Sequence, residues 1–414
     1  MADPHAEIAR FLASRREEQT RFLAELVKVP SDNPPGDCAA HAERAAQLLI
    51  GLGFKVERHP VPAAEVRANG MVSALNLVVR ERFAEGPVIA LNAHGDVVPP
   101  GLGWTADPYG AEIRDGHMYG RGVAVSKSDF ATYAYALLAL KVVGTPLKGS
   151  VELHFTYDEE AGGTIGPQRL LATGVSKPDF AICAGFSYGI TTAHNGCLHL
   201  EIEVIGKSGH AAEPEKGMDA LEAANGILAE LYALRKTYAA TRSSVTGIIS
   251  PTLVVGLIAG GINTNVVPDN VKFRIDRRII PEENPADVER TLTGQIADYA
   301  RRWPGIRCNV RRILLAAPFT PVAGQGELVA AIARNARAVL GVDVVPHGVP
   351  LYTDARHYSA AGIPTVLYGA GPRTLEQANG HRADERLVLD DLYKATQVVA
   401  LALLDLLAAG HNRA

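Results

Sequence analysis

His94, Asp96, Glu159, Glu160, His210 and His381 are the side chains in this 414-residue chain whose types and neighbours suit metal-assisted acid–base chemistry. His94-Gly95-Asp96 closes the apolar run 87–93. An imidazole two residues before a carboxylate at a strand end can ligate a metal while the carboxylate orients its other nitrogen. The same tripeptide also suits a loop histidine beside a solvated acid. Asp158-Glu159-Glu160 closes a second apolar run, 151–157. Three adjacent acids repel one another, and they stay charged only where water or a cation neutralises them. Neighbouring glutamates can then divide the work, one ligating a metal and the other acting as a general base on water. Gly162-Gly163 lets the chain bend sharply behind them, which equally fits a solvated turn. His381 lies in the loop 379–385. With His94 and Glu160 it makes a two-histidine, one-carboxylate set suited to Zn2+, Mn2+ or Fe2+. His210 follows Gly206-Lys207-Ser208-Gly209, and Asn265 and Arg278 belong to GGINTNVVPDN and RIDRR. An arginine with an asparagine is a natural clamp for a carboxylate, though each taken singly also suits a solvated surface.

The elements that must position these residues alternate. The spacing predicts helices over 7–27 and 40–52, with a Pro/Gly-rich loop at 32–37 between them. Strands are expected at 54–59, 74–80, 86–92, 150–157 and 180–184, and a helix over 129–143. Apolar strands alternating with helices imply a layered α/β domain. From Gly196 the pattern changes: LHLEIEVI alternates polar and apolar, as a strand with one wet face does. A helix over 218–234, strands at 252–258 and 271–279, a helix over 285–303 and a strand at 306–313 complete a βαββαβ, ferredoxin-like order. After Pro318 the α/β pattern resumes with a helix over 326–340, a strand at 365–368 and a helix over 387–409. The expected division is a catalytic domain of 1–195 and 316–414 with residues 196–315 inserted.

Composition narrows the function. The formal net charge is −4, 47% of residues are hydrophobic and 21% are charged, which is the profile of a globular protein. No basic block supports nucleic-acid or membrane-surface binding. There is no signal-peptide pattern at the N-terminus and no run of about 18 apolar residues to span a membrane. Cys38, Cys183, Cys197 and Cys308 form no CxxC pair and read as reduced thiols. A soluble, cytoplasmic enzyme is expected.

Taken in order, AHGDVVP, DGHMYGRG, TYDEEAGG, GKSGHAAEP, NTNVVPDN with IDRR, YTDARHYSAAGIPTVLYGAGP and NGH-x-x-DE resemble the aminoacylase/acetylornithine deacetylase/succinyl-diaminopimelate desuccinylase/glutamate carboxypeptidase family of metallohydrolases. The resemblance runs from about Ser31 to the last helix. It implies a zinc-aminopeptidase-like α/β catalytic domain carrying an inserted ferredoxin-like dimerisation lid, and hydrolysis of N-acyl amino acids or small peptides by two adjacent metal ions. It makes His94 a metal ligand and Asp96 its orienting carboxylate. Glu159 becomes the general base, Glu160 and His381 ligands of the other metal, and His210 a lid histidine acting across a homodimer on the oxyanion. Asn265 and Arg278 become binders of the substrate carboxylate.

Two positions depart from the family. Val125 stands where a metal-bridging Asp is usual, and Gly185 where a Glu or Asp ligand is usual. The matched residues therefore support at most one ion per chain, Zn2+ first, with Mn2+ or Co2+ as alternatives. Asp129, one helical turn beyond Val125, is the nearest additional ligand candidate. The expected activity is hydrolysis of an amide or related C–N bond in a small carboxylate-bearing substrate. Two alternatives stay open: a degenerate member that binds a carboxylate without turnover, and a hydrolytic deaminase of an aromatic amine.

Overall fold

The computed structural model of the chain describes residues 3–408. It divides into two units. One runs to Thr192 and resumes over Pro321–His347 and from Thr353; the other comprises Ala193–Thr320 with Gly348–Tyr352.

The first unit is built around an eight-stranded mixed sheet. Its order is Val56–Pro60, Leu75–Arg82, Ser150–Thr156, Val88–His94, Phe180–Cys183, Thr365–Leu367, Ile190–His194 and Pro346–Val349. Four neighbouring strands at its centre, Ser150–Thr156, Val88–His94, Phe180–Cys183 and Thr365–Leu367, run parallel. Val88–His94 and Ser150–Thr156 are buried at every residue but the first, as strands covered on both faces must be. The helix Lys127–Val142 is buried on almost all sides, and Phe130 from it stacks on Phe155 with ring centroids 3.9 Å apart. The helix Leu389–Leu407 packs against it and against Gln325–Leu340.

The register sets His94 opposite Thr156. His94-Gly95-Asp96 and Asp158-Glu159-Glu160 thus leave the sheet side by side, at the carboxyl ends of adjacent parallel strands. That is the side on which open α/β sheets place their chemistry.

The second unit is a four-stranded antiparallel sheet in the order Thr252–Gly260, Asn270–Ile279, Gly196–Ile205, Arg307–Ala316. Counted along the chain this is second, third, first, fourth, the split βαβ arrangement. Leu198, Leu200, Ile202 and Val204 alternate inward with Val271, Phe273 and Ile275. They pack against Ile227 and Leu231 of the helix Ala220–Thr237 and Leu292 and Ile296 of Pro285–Ala300. Asp219 and Asn284 cap these helices by accepting two backbone N–H groups each.

One sequence expectation is corrected. The helix expected over 7–27 is two helices, Pro4–Ser14 and Arg16–Val27, broken at Arg15. The Ser14 hydroxyl donates back to the Phe11 carbonyl, the local bond by which serine competes with helix continuation. Among the described residues, no helix is long and apolar enough to cross a membrane.

Candidate active site

Asp96 organises the site from below. It is fully buried, and its carboxylate accepts from Asn33 Nδ2 at 3.0 Å and from the backbone N–H groups of Glu159 and Glu160 at 3.2 and 3.1 Å. Its backbone oxygen lies 2.9 Å from His94 Nδ1, and its Oδ1 lies 3.5 Å from the same nitrogen. That leaves His94 Nε2 turned outward, 4.0 Å from Glu159 Oε2. One residue thus fixes both the imidazole and the turn that carries the acids. Between them, Gly95 admits no side chain, since a Cβ there would sit 2.3 Å from the Tyr157 ring.

The three acids separate by role. Asp158 points inward and accepts from Ile165 N at 2.7 Å, so it braces the turn rather than facing a ligand. Glu159 and Glu160 follow in a single 3-10 turn, and their carboxylates converge with His94. One ligand atom from each of His94, Glu159 and Glu160 lies within 4.8 Å of the other two. His381 Nε2 is 3.5 Å from Glu160 Oε1. One imidazole and two carboxylates in mutual reach can hold a divalent ion, and His381 adjoins them only through Glu160.

Charge follows this packing. Burial raises Glu159 well above the ordinary carboxylate range, and Glu160, Asp354 and Asp96 add to it, while His94 opposes. For His94 burial disfavours the charged ring, but Glu159, Asp96 and Glu160 outweigh it and hold the imidazole well above its usual range. Binding a cation there must displace a proton from His94, the usual coupling of metal affinity to pH.

The two departures from the family pattern have structural counterparts. The backbone N–H groups of Ala124 and Val125 both donate to Glu385 Oε1, at 3.0 and 3.3 Å, so the Val125 turn is fixed without any ligand at its tip. A Cβ at Gly185 would meet Leu367 and the Tyr368 nitrogen at 2.7 Å, which leaves no room for a carboxylate-bearing side chain. Asp129 lies outside the three-residue cluster. It is buried, its Oδ1 accepts from Ala370 N at 2.6 Å, and Gly185 N–H also faces it. These donors tie its carboxylate to two other chain segments. With Val125 and Gly185 at two of the ligand positions, the residues present do not fit a dinuclear centre.

Several supporting residues carry no signal in the sequence analysis. Ser31 Oγ donates to the Gly95 carbonyl at 2.6 Å, and Asn33 holds Asp96 as above. Arg356 Nη2 donates to the Gly162 carbonyl, and His357 Nε2 lies 3.0 Å from the same oxygen, so the helix Ala355–Ala360 grips the turn behind the glutamates. Just before it, Asp354 is buried and raised to about 7, chiefly by desolvation. Arg121 and Glu385 form a fully buried ion pair at 2.5 Å, and Arg121 also donates to the carbonyls of Pro100 and Arg382. That pair ties the Val125 turn to the loop bearing His381, where His381 and its neighbours Asn379 and Asp384 adopt positive φ. TDARH and NGHRADE were visible as motifs, but which residues grip which turn was not.

In the second unit, the two-residue strand Gly209–His210 pairs with Val266–Val267, and Ala211 N donates to the Asn265 carbonyl at 3.0 Å. His210 and Asn265 are therefore neighbours. His210 is exposed, its Nδ1 accepting from Ala212 N at 3.1 Å. Arg278 donates through Nε and Nη2 to Asp276 Oδ2 at 3.2 and 3.0 Å. At about 3.3 Å per residue, Arg278 is roughly 26 Å along its strand from Asn270, the end reached from Asn265. One chain thus brings His210 and Asn265 together but not Asn265 and Arg278.

Comparison with known proteins finds relatives in sequence and in fold. Residues 90–405 match the model of peptidase family M20/M25/M40. The chain is 31% identical over 344 residues to an acetylornithine deacetylase of Proteus mirabilis, covering 82% of this chain and 83% of that one. It is 27% identical over 334 residues to a succinyl-diaminopimelate desuccinylase of Sulfurimonas denitrificans, covering 78% and 85%. Among solved structures, the M20 metallo-carboxypeptidase Sso-CP2 of Sulfolobus solfataricus superposes with a TM-score of 0.75 at 18% identity, covering 93% and 98%.

Proposed function

The chain belongs to peptidase family M20/M25/M40, and from that premise we propose that it hydrolyses an amide bond in a small carboxylate-bearing substrate, an N-acyl amino acid or a dipeptide, with one divalent ion per chain. The enzyme class follows from the family and its relatives; the substrate and the ion count are the proposal. The observation that carries it is the convergence of His94, Glu159 and Glu160 at adjacent strand ends, with His381 beside Glu160.

In this reading His94, Glu160 and His381 hold the ion, Zn2+ first, with Mn2+ or Co2+ as alternatives. When bound, such an ion polarises the scissile carbonyl and lowers the pKa of water. Asp96 keeps His94 in the ligating orientation. Glu159 takes a proton from the attacking water and returns it to the departing nitrogen as the C–N bond breaks. His210 donates a hydrogen bond to the oxyanion, worth about 3–4 kcal/mol by analogy with other such donors. Arg278 and Asn265 receive the carboxylate. Because Asn265 lies beyond the end of the strand Asn270–Ile279 that is remote from Arg278, a second copy of the chain supplies His210 and Asn265, which makes the enzyme a homodimer through the inserted unit, 196–315. The edge strand Thr252–Gly260 supports this, since it keeps Val254, Leu257 and Ile258 exposed. The four free cysteines suit a cytoplasmic setting.

A screen of N-acyl amino acids, dipeptides and aromatic amines, with Zn2+, Mn2+ and Co2+ supplied separately, tests the assignment. Release of the free amino acid supports it. The replacements at Val125 and Gly185 favour one rival, a carboxylate-binding protein without turnover. That rival gains if a carboxylate raises the melting temperature while no substrate is cleaved, and ammonia release from an aromatic amine would move the reading to a deaminase.

A further inference from the structure

The outer face of the four-stranded sheet carries charge that the reading above leaves unused. The register sets Lys272 opposite Glu203, Arg274 opposite Glu201 and Asp276 opposite His199, with Arg278 at the end of the same row. In the middle of the face, Glu201 pairs with Arg274 and Arg311, whose side chains are 48% and 63% exposed. Such pairs are well solvated and weak. The Arg278 end is more sheltered. His199, Asp276 and Arg278 expose 31%, 31% and 28% of their side chains, enough to be reached by a small ligand. There Asp276 Oδ2 accepts from Arg278 Nε and Nη2, and His199 Nε2 lies 3.3 Å from that same oxygen. One carboxylate oxygen serves two cationic groups, so the patch carries one positive charge in excess whenever His199 is protonated. A single carboxylate balances it.

We infer that His199 is the second cationic contact of the carboxylate patch at Arg278, holding one oxygen of a mono-anionic substrate end while the guanidinium holds the other. This rests on the assignment of Arg278 to the substrate carboxylate and names a residue that nothing in the family pattern above assigns. Asp276 positions both groups. The groups facing His199 agree with a charged ring. Asp276 and Arg278 come from the strand Asn270–Ile279, Cys197 from its own strand, and the uncharged Leu314 from Arg307–Ala316. The Tyr352 ring lies 5.7 Å from the Arg278 guanidinium. The Asp276 contact and then Cys197 raise His199 to about 9 against the opposing effect of burial. The contact is therefore present at neutral pH and lost as pH rises through that value.

The test uses the full-length enzyme and a panel of N-acetyl amino acids, with affinity read by calorimetry and hydrolysis read separately. For the tightest member, affinity should fall as pH passes about 9. His199→Gln should weaken binding roughly tenfold at neutral pH, the scale of one charge-assisted contact, and abolish that alkaline fall. His199→Lys should restore binding and move the fall to higher pH. Where turnover is measurable, the change should lie in KM with kcat kept. Wild-type affinity and an unchanged alkaline fall in His199→Gln would overturn the inference, as would the failure of His199→Lys to restore binding. Binding that weakens in His199→Gln and is restored in His199→Lys, without any hydrolysis, would uphold His199 while refuting the hydrolase reading. Failure of the wild type to bind any panel member would overturn both.

Discussion

Glu159 and Glu160 leave the sheet on a turn braced by Asp96, Arg356 and His357. Val125 sits on a turn braced as firmly, by Glu385 through two backbone N–H groups and by Arg121 behind it, yet carries nothing at its tip that can hold a metal. Ser126 completes the second brace, exchanging hydrogen bonds with the His94 backbone at 3.2 and 3.1 Å. Scaffold and chemistry are thus separable here. The backbone supports are as complete on the side without ligands as on the side with them, so they serve the fold and the placement of His94 and His381 whether or not a second ion is held.

Four substitutions can break or sharpen that contrast. Glu159→Gln removes the proposed base while keeping shape and the neighbouring proposed ligand Glu160. Turnover should fall by about 10²–10⁴-fold, the usual share of a general base, with metal content unchanged. Near-native turnover would place the base elsewhere. On the ligand-free side, Arg121→Ala leaves Glu385 as a buried, unpaired charge and should cost about 3–5 kcal/mol in urea unfolding. A loss under 1 kcal/mol would show, by the same yardstick, that the brace matters little.

Gly95→Ala tests the junction between the two sides. Its Cβ meets the Tyr157 ring, so the overpacked variant should lose about 1–3 kcal/mol and melt earlier. The smallest effect is expected at Asp129→Asn, which still offers an oxygen to Ala370 N–H and should leave metal content untouched. Burial raises Asp129 from 3.8 to about 7. In that window the folded chain holds a proton that the unfolded chain has lost, so this group's contribution to stability declines as pH rises from 3.8 towards 7. The urea midpoint of the variant should therefore gain on that of the wild type across the same interval. Loss of metal in Asp129→Asn would instead make Asp129 a ligand.

The sequence announces what is local. The buried strands 86–92 and 150–157 stand out as apolar runs, and the acids and histidine that follow them sit at their ends as expected. In the inserted unit, strict alternation along 198–205 marks the wet face and the core face. The supports are illegible for the opposite reason. Asn33 meets Asp96 63 residues away, and Arg121 meets Glu385 264 residues away. No period or spacing connects such pairs. Two short strands are illegible as well: Ile190–His194 mixes Thr and His among its apolar residues, and Pro346–Val349 starts with Pro and contains Gly. The break at Arg15 lies within a continuous helical period, where only the serine hydroxyl betrays it.

The central claim, that the surviving ligands hold one ion and the replaced positions hold none, is tested most directly by metal analysis of the gently dialysed protein alongside its Glu160→Gln variant. One divalent ion per chain in the wild type and markedly less than one in the variant is the predicted result. Two ions per chain, or full retention of the ion in Glu160→Gln, would contradict it.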